Sequence, residues 1–72
     1  MPSAIEQIVE AYIRLNNRRA LEEMMVHRQR LAINLKAMSG LDLGAPIRQV
    51  NEDIAAIGAG LTKMDSSPPH SS

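Results

Sequence analysis

The most regular alternation of apolar and polar positions lies near the C-terminus. Apolar residues fall at Ile47, Val50, Ile54, Ile57, Leu61 and Met64, in steps of three and four without a break. That rhythm predicts a helix over 46–64 whose six apolar residues form one packing seam. Pro46 suits its first turn, where a fixed φ helps and a missing N–H costs nothing. Gly58 and Gly60 flank the seam, and each weakens a helix by about 1 kcal/mol relative to Ala. A helix that keeps both is expected to use them for close approach of another backbone. Ala55, Ala56 and Ala59 make the remaining face small and apolar.

Residues 4–38 also read as helix, but with two apolar stripes rather than one. Ser3-Ala-Ile-Glu6 matches a capping box, in which the Ser hydroxyl and the Glu carboxylate each accept from the other residue's backbone N–H. Ile5, Ile8, Val9, Tyr12, Ile13 and Leu15 cluster on one side of the helical wheel. Leu21, Met24, Met25, Leu31, Ala32, Leu35 and Met38 cluster on another, rotated by roughly 120°. One straight helix cannot turn both stripes toward one core. Either the chain bends around Asn16-Asn17, where Asn17 can cap a new helix, or one long helix contacts two partners. Unbroken, the arm would be about 54 Å long against about 28 Å for the last helix. The stripe Ile5, Ile8, Val9, Tyr12 and Ile13 would then have no cover within the chain, and an apolar patch of that kind marks an interface.

Gly40, Gly44 and Pro46 enclose a loop over 39–45, with Gly40 suited to close the helix that ends near Met38 and with Leu41 and Leu43 capping the core. Residues 65–72 offer no apolar side chain and read as a disordered tail beyond a single small domain over 1–64. The expected fold is all-α: an antiparallel helical hairpin with a long first helix over 4–38, breakable at Asn16-Asn17, and a second over 46–64. Oligomerisation or a partner would complete it.

Composition strengthens the last point. The chain has 72 residues, 44% of them hydrophobic, yet no Phe, Trp or Cys and one Tyr. A core so small and aliphatic, without disulfides or metal, often needs another chain for stability. The absence of Cys excludes a disulfide scaffold and any thiol nucleophile. Eight cationic and eight anionic side chains leave zero formal charge, unlike a strongly basic nucleic-acid binder. The apolar run Ile54–Met64, interrupted by Lys63, is far short of the roughly 20 residues that span a bilayer. The opening residues lack a basic segment followed by a long apolar run, so no secretory signal is expected and the expected location is cytoplasmic.

The charges are nonetheless segregated. Arg14, Arg18, Arg19, Arg28, Arg30 and Lys36 meet only Glu22 and Glu23 between residues 14 and 36. The clusters Arg14–Arg19 and His27–Arg30 could touch phosphates or an acidic protein. Against nucleic acid stand the lone aromatic, Tyr12, and an Ala/Gly-rich last helix unsuited to a groove. Glu23 and His27 have the spacing of a chelating pair, but the one other histidine, His70, lies in the tail, so no metal or other cofactor is expected. The hydroxyls lack a positioned base, and a chain this short encloses no substrate pocket, which argues against an enzyme. Gly40-Leu-Asp-Leu-Gly44 lacks the Lys-Ser/Thr of a phosphate loop. Arg28 falls within an apolar stripe and is expected to snorkel or to pair with Glu52 or Asp53. Val26 and Ile33, seven residues apart, lie away from the Leu21–Leu35 stripe and suggest a second apolar surface, while the Met residues fill the core or adapt to varied partners.

These features together predict a non-catalytic protein-binding regulator, adaptor or chaperone-like factor that masks a helix or groove on a larger protein. In that reading Ile5, Ile8, Val9, Tyr12 and Ile13 anchor the partner or a second copy, and Arg14, Arg18 and Arg19 form a basic rim. The alternative is a small nucleic-acid-associated regulator that uses the arginines of 14–30.

Overall fold

A computed structural model describes residues 3–38 and 42–66, and every regular element among them is α-helical. Three helices follow in order: α1, Ala4–Arg14; α2, Arg18–Ala37; and α3, Gly44–Ser66. The first arm is therefore broken at Asn16-Asn17, one of the two alternatives open from the sequence, and the hairpin's first arm becomes two helices.

α1 begins at the capping box. Ser3 Oγ accepts from the Glu6 N–H at 3.3 Å, and the Ser3 N–H donates to Glu6 Oε1 at 2.8 Å. It ends because the chain turns left-handed. Asn16 has a φ of 55°, a region that a Cβ penalises and that Asn tolerates better than most residues. The Asn16 N–H donates to the Ile13 C=O and the Asn17 N–H to the Tyr12 C=O, both at 2.9 Å. This nested pair closes a helix C-terminus around a left-handed residue. Asn17 then caps α2, its Oδ1 accepting from the Ala20 N–H at 3.1 Å. Two asparagines, weak breakers by propensity alone, thus supply the stop of one helix and the start of the next.

α3 starts at Gly44, two residues before the expected boundary, and continues two residues past Met64. The Ile47 N–H donates to the Leu43 C=O at 2.9 Å, and the Gly44 N–H donates to Asp42 Oδ1 at 3.4 Å. Pro46 occupies the first turn, where no intrahelical donor is required. Asp65 and Ser66, expected in the tail, are helical. The remaining tail, 67–72, and Gly40 with Leu41 lie outside the described residues.

α2 and α3 run antiparallel, with Arg18 meeting Asp65 and Arg28 meeting Asp53. α1 lies along α3 in the same direction: Ile5 is near Gln49 and Glu52, and Ile13 is near Gly60 and Lys63. Ile5, Val9, Leu21 and Ile57 form the buried cluster, with Leu21 and Ile57 fully enclosed. Tyr12, Ile13, Met24, Met25, Leu61 and Met64 pack around it. On α3, Val50 and Ile57 are buried and Ile47, Ile54, Leu61 and Met64 are half-buried, so the whole seam turns inward.

The two glycines play different parts. A Cβ on Gly60 would meet Val9 Cγ1 well inside contact distance, with Ile13 Cδ1 at 3.5 Å and Leu21 Cδ1 at 3.8 Å behind it. Val9 is buried and stiff at χ1, so it cannot yield cheaply. A Cβ on Gly58 would meet only Met25 Cε, at an ordinary 3.5 Å. The close approach expected of both glycines is made at Gly60 alone.

Gly60→Ala should lower stability by about 1–3 kcal/mol through overpacking, although Ala is the better helix former. Gly58→Ala should raise it by up to about 1 kcal/mol. Urea unfolding followed by far-ultraviolet circular dichroism separates them; equal midpoints for the two variants would refute the assignment. Asn17→Ala, measured the same way, should cost about 1 kcal/mol through the lost cap, and an unchanged midpoint would show that the cap contributes nothing.

Candidate functional site

The stripe expected to face another chain is largely consumed inside this one. Ile5 and Val9 are buried in the core, and Tyr12 and Ile13 are half-buried against it. Of the five anchors only Ile8 is substantially exposed, at 45%, on the α1 face beside Arg28 and Asp53. The physical reason is the reversal at Asn16-Asn17. It folds α1 back along α3, where Gly60 has no side chain to hold Val9 away.

The predicted basic rim is also engaged. Arg14 pairs with Glu10 at 3.7 Å and Arg19 with Glu23 at 3.5 Å, each one helical turn away. Arg18 Nε donates to Glu22 Oε2 at 2.9 Å, and its two terminal nitrogens fork onto the Asp65 carboxylate. Hydrogen bonds to Asp65 and then Glu22 hold the Arg18 guanidinium above its ordinary pKa, so it stays charged. Arg18 and Arg19 open α2, whose first turn contains no acidic residue. Cations there oppose the helix dipole, and the carboxylates of Glu22, Glu23 and Asp65 offset that cost.

Arg28 takes the partner expected of it. Its Nε donates to Asp53 Oδ2 at 3.1 Å, while Gln49 Nε2 donates to Asp53 Oδ1 at 3.0 Å. The Asp53 side chain is only 13% exposed. This pair ties the middle of α2 to α3, and both charges are neutralised locally.

Among the described residues, no three His, Asp or Glu side chains converge where a metal ion could bind. Ser3 is committed to its cap, and Ser66 Oγ donates to the Thr62 C=O at 2.8 Å. The clefts lined by the described residues are open surface depressions, such as the one between α1 and α3 over Val9, Ala56 and Gly60. No helix among them is long and apolar enough to cross a membrane.

Exposed apolar side chains gather on α2 instead. Val26 is 47% exposed and Ile33 67%, one heptad apart on the outer side, with Arg30 between them. Leu31 and Met38, expected in the core, are 42% and 50% exposed. The sequence marks Val26 and Ile33 as off the core stripe. It cannot mark Leu31 and Met38, because they fall on the same stripe as residues that are covered. Arg30 and Lys36 make no ion pair among the described residues. From Met24 to Met38 the chain holds no Asp or Glu at all.

No protein-family model, curated protein or solved structure matches the chain. A functional reading therefore stands on these surfaces alone.

Asp53→Ala should cost about 1–3 kcal/mol, because it strands the half-buried Arg28 charge and the Gln49 amide. Glu23→Ala, which frees an exposed arginine, should leave the unfolding midpoint unchanged. Equal midpoints for both variants would show that the Arg28–Asp53 contact carries no special weight.

Proposed function

We propose that the chain is a non-catalytic, cytoplasmic protein-binding regulator or adaptor that takes an acidic, amphipathic helix of a larger protein on the outer face of α2. Masking such a helix is also what a small chaperone-like factor would do. The supporting observation is the pairing of exposed Val26 and Ile33 with unpaired Arg30 and Lys36, on a stretch without a single carboxylate. Two apolar anchors seven residues apart suit a partner helix laid along α2. The unpaired cations favour acidic flanks on that helix and speed its encounter.

This reading moves the partner surface from α1 to α2. Of Arg14, Arg18 and Arg19, proposed from sequence as a rim, Arg19 lies beside Val26 and Arg30, and all three already hold carboxylates. The same neutralisation takes support from the nucleic-acid alternative, since phosphates would have to displace Glu10, Glu22, Glu23 and Asp65.

The test uses synthetic amphipathic peptides of about three turns, one with Glu and one with Lys on its polar face, titrated into the full chain. The acidic peptide should bind, and raising salt should weaken it. Val26→Asp/Ile33→Asp should abolish binding while helix content is retained. Preference for the basic peptide, or binding unchanged in the double variant, would overturn the proposal. So would duplex DNA binding that the double variant retains.

A further inference from the structure

Thioethers are the only sulfur in a chain without cysteine, and three of its five methionines sit against the core. Met24, Met25 and Met64 are half-buried and pack on the cluster of Ile5, Val9, Leu21 and Ile57. Met38, 50% exposed, is not among the side chains packed there.

Met25 is set apart by what lies opposite its end. A Cβ on Gly58 would find the Met25 Cε at 3.5 Å and nothing else from outside its own stretch of α3. Gly60, two residues on, is closed by Val9, Ile13 and Leu21. Gly58 and Met25 are both half-buried. Position 58 is therefore an opening in the side of α3 that ends on the Met25 methyl, with the sulfur as the next atom. A small uncharged oxidant can reach the sulfur there, and susceptibility to oxidation follows such exposure.

We infer that Met25 is a reversible oxidative-modification site that takes a small hydroperoxide as its substrate, and that its sulfoxide loosens α2 from α3. The sulfur lone pair attacks the terminal peroxide oxygen, and the S–O bond forms as the O–O bond breaks. The proton of the transferred oxygen passes to the departing one, which leaves as water. Sulfur is oxidised by two electrons and the peroxide is reduced by two.

The product is polar and chiral where the thioether was apolar and flexible. Facing α3, its oxygen meets donors already in use. The backbone N–H groups around Gly58 bond within the helix, and Arg28 Nε, one turn along α2, donates to Asp53. Turned outward to water, the oxygen draws the Met25 side chain off the cluster. Both outcomes cost packing between α2 and α3, since a buried polar atom without a partner is unfavourable. The site uses none of the residues assigned to the acidic partner, so either proposal can fail alone.

The test treats the full chain with hydrogen peroxide, locates the oxygen on each methionine by peptide mass mapping, and reads stability by urea unfolding. Oxidation confined to Met38 should leave the midpoint unchanged. Once Met25 carries oxygen, the folding equilibrium constant should fall about tenfold or more. Met25→Leu, which conserves volume, should prevent that fall, and Met38→Leu should not. Should Met25→Leu lose helix content, Met25→Gln supplies a polar mimic that should lower the midpoint without peroxide, whereas Met38→Gln should not. Methionine sulfoxide reductases should restore the midpoint of the oxidised chain. Gly58→Ala, which closes the opening, should slow oxidation of Met25. Asn34→Ala, which strengthens α2 at an exposed site, should not. A midpoint indifferent to oxygen on Met25, a fall that Met24→Leu or Met64→Leu prevents in its place, an unchanged rate in Gly58→Ala, or a loss that the reductases fail to reverse would overturn the inference.

Discussion

The chain reversal at Asn16-Asn17 is the constraint on which the other contacts depend. A helix continuing from α1 into α2 would carry Ile5 and Val9 away from α3, and the cluster with Leu21 and Ile57 could not form. The reversal needs one residue in the left-handed region, two carbonyls of the last turn of α1 as acceptors, and a cap for α2. Asn16 and Asn17 meet all three needs within two residues. A side chain that is ordinary in a propensity scale is decisive here because it hydrogen-bonds the backbone at a helix end.

The reversal delivers α1 to α3, and Gly60 determines how close it comes. Val9 occupies the space that any side chain at position 60 would claim. Close approach matters in a core without Phe or Trp, since short aliphatic side chains fill the space between helices only when the helices are near. The gain is confined to the length of α1. Among the described residues, α2 and α3 have only each other beyond the start of α1, and no third helix lies above the apolar row Leu31, Leu35 and Met38. The closed core lies where α1 packs, and Leu31 and Met38 are exposed outside it.

Electrostatics follow the same geometry. Folding gives a carboxylate to Arg14, Arg18, Arg19 and Arg28, either one turn away on the same helix or across to α3. A cationic surplus that looks available along the sequence is mostly taken up. What remains is Arg30 and Lys36, beside Val26 and Ile33. The basic character of α2 therefore survives in its C-terminal half, where no carboxylate lies on the same stretch.

Local order was legible in the sequence wherever it depends on neighbours three or four residues apart. The capping box at Ser3 and Glu6, the helical seam from Ile47 to Met64, the role of Pro46 and the capacity of Asn17 to start a helix are all short-range features, and helix formation is governed at that range. The pairing of Arg28 with an acid on the last helix was also foreseeable, because an arginine inside an apolar stripe needs a partner. The tertiary structure alone decided which stripe is covered. Ile5 and Val9 looked like an interface and are core, whereas Leu31 and Met38 looked like core and are exposed. Periodicity shows that a face is apolar, but cover depends on the direction in which α1 returns and how far it extends. One left-handed residue and one missing Cβ set that direction and distance, and neither leaves a mark on the hydrophobic pattern.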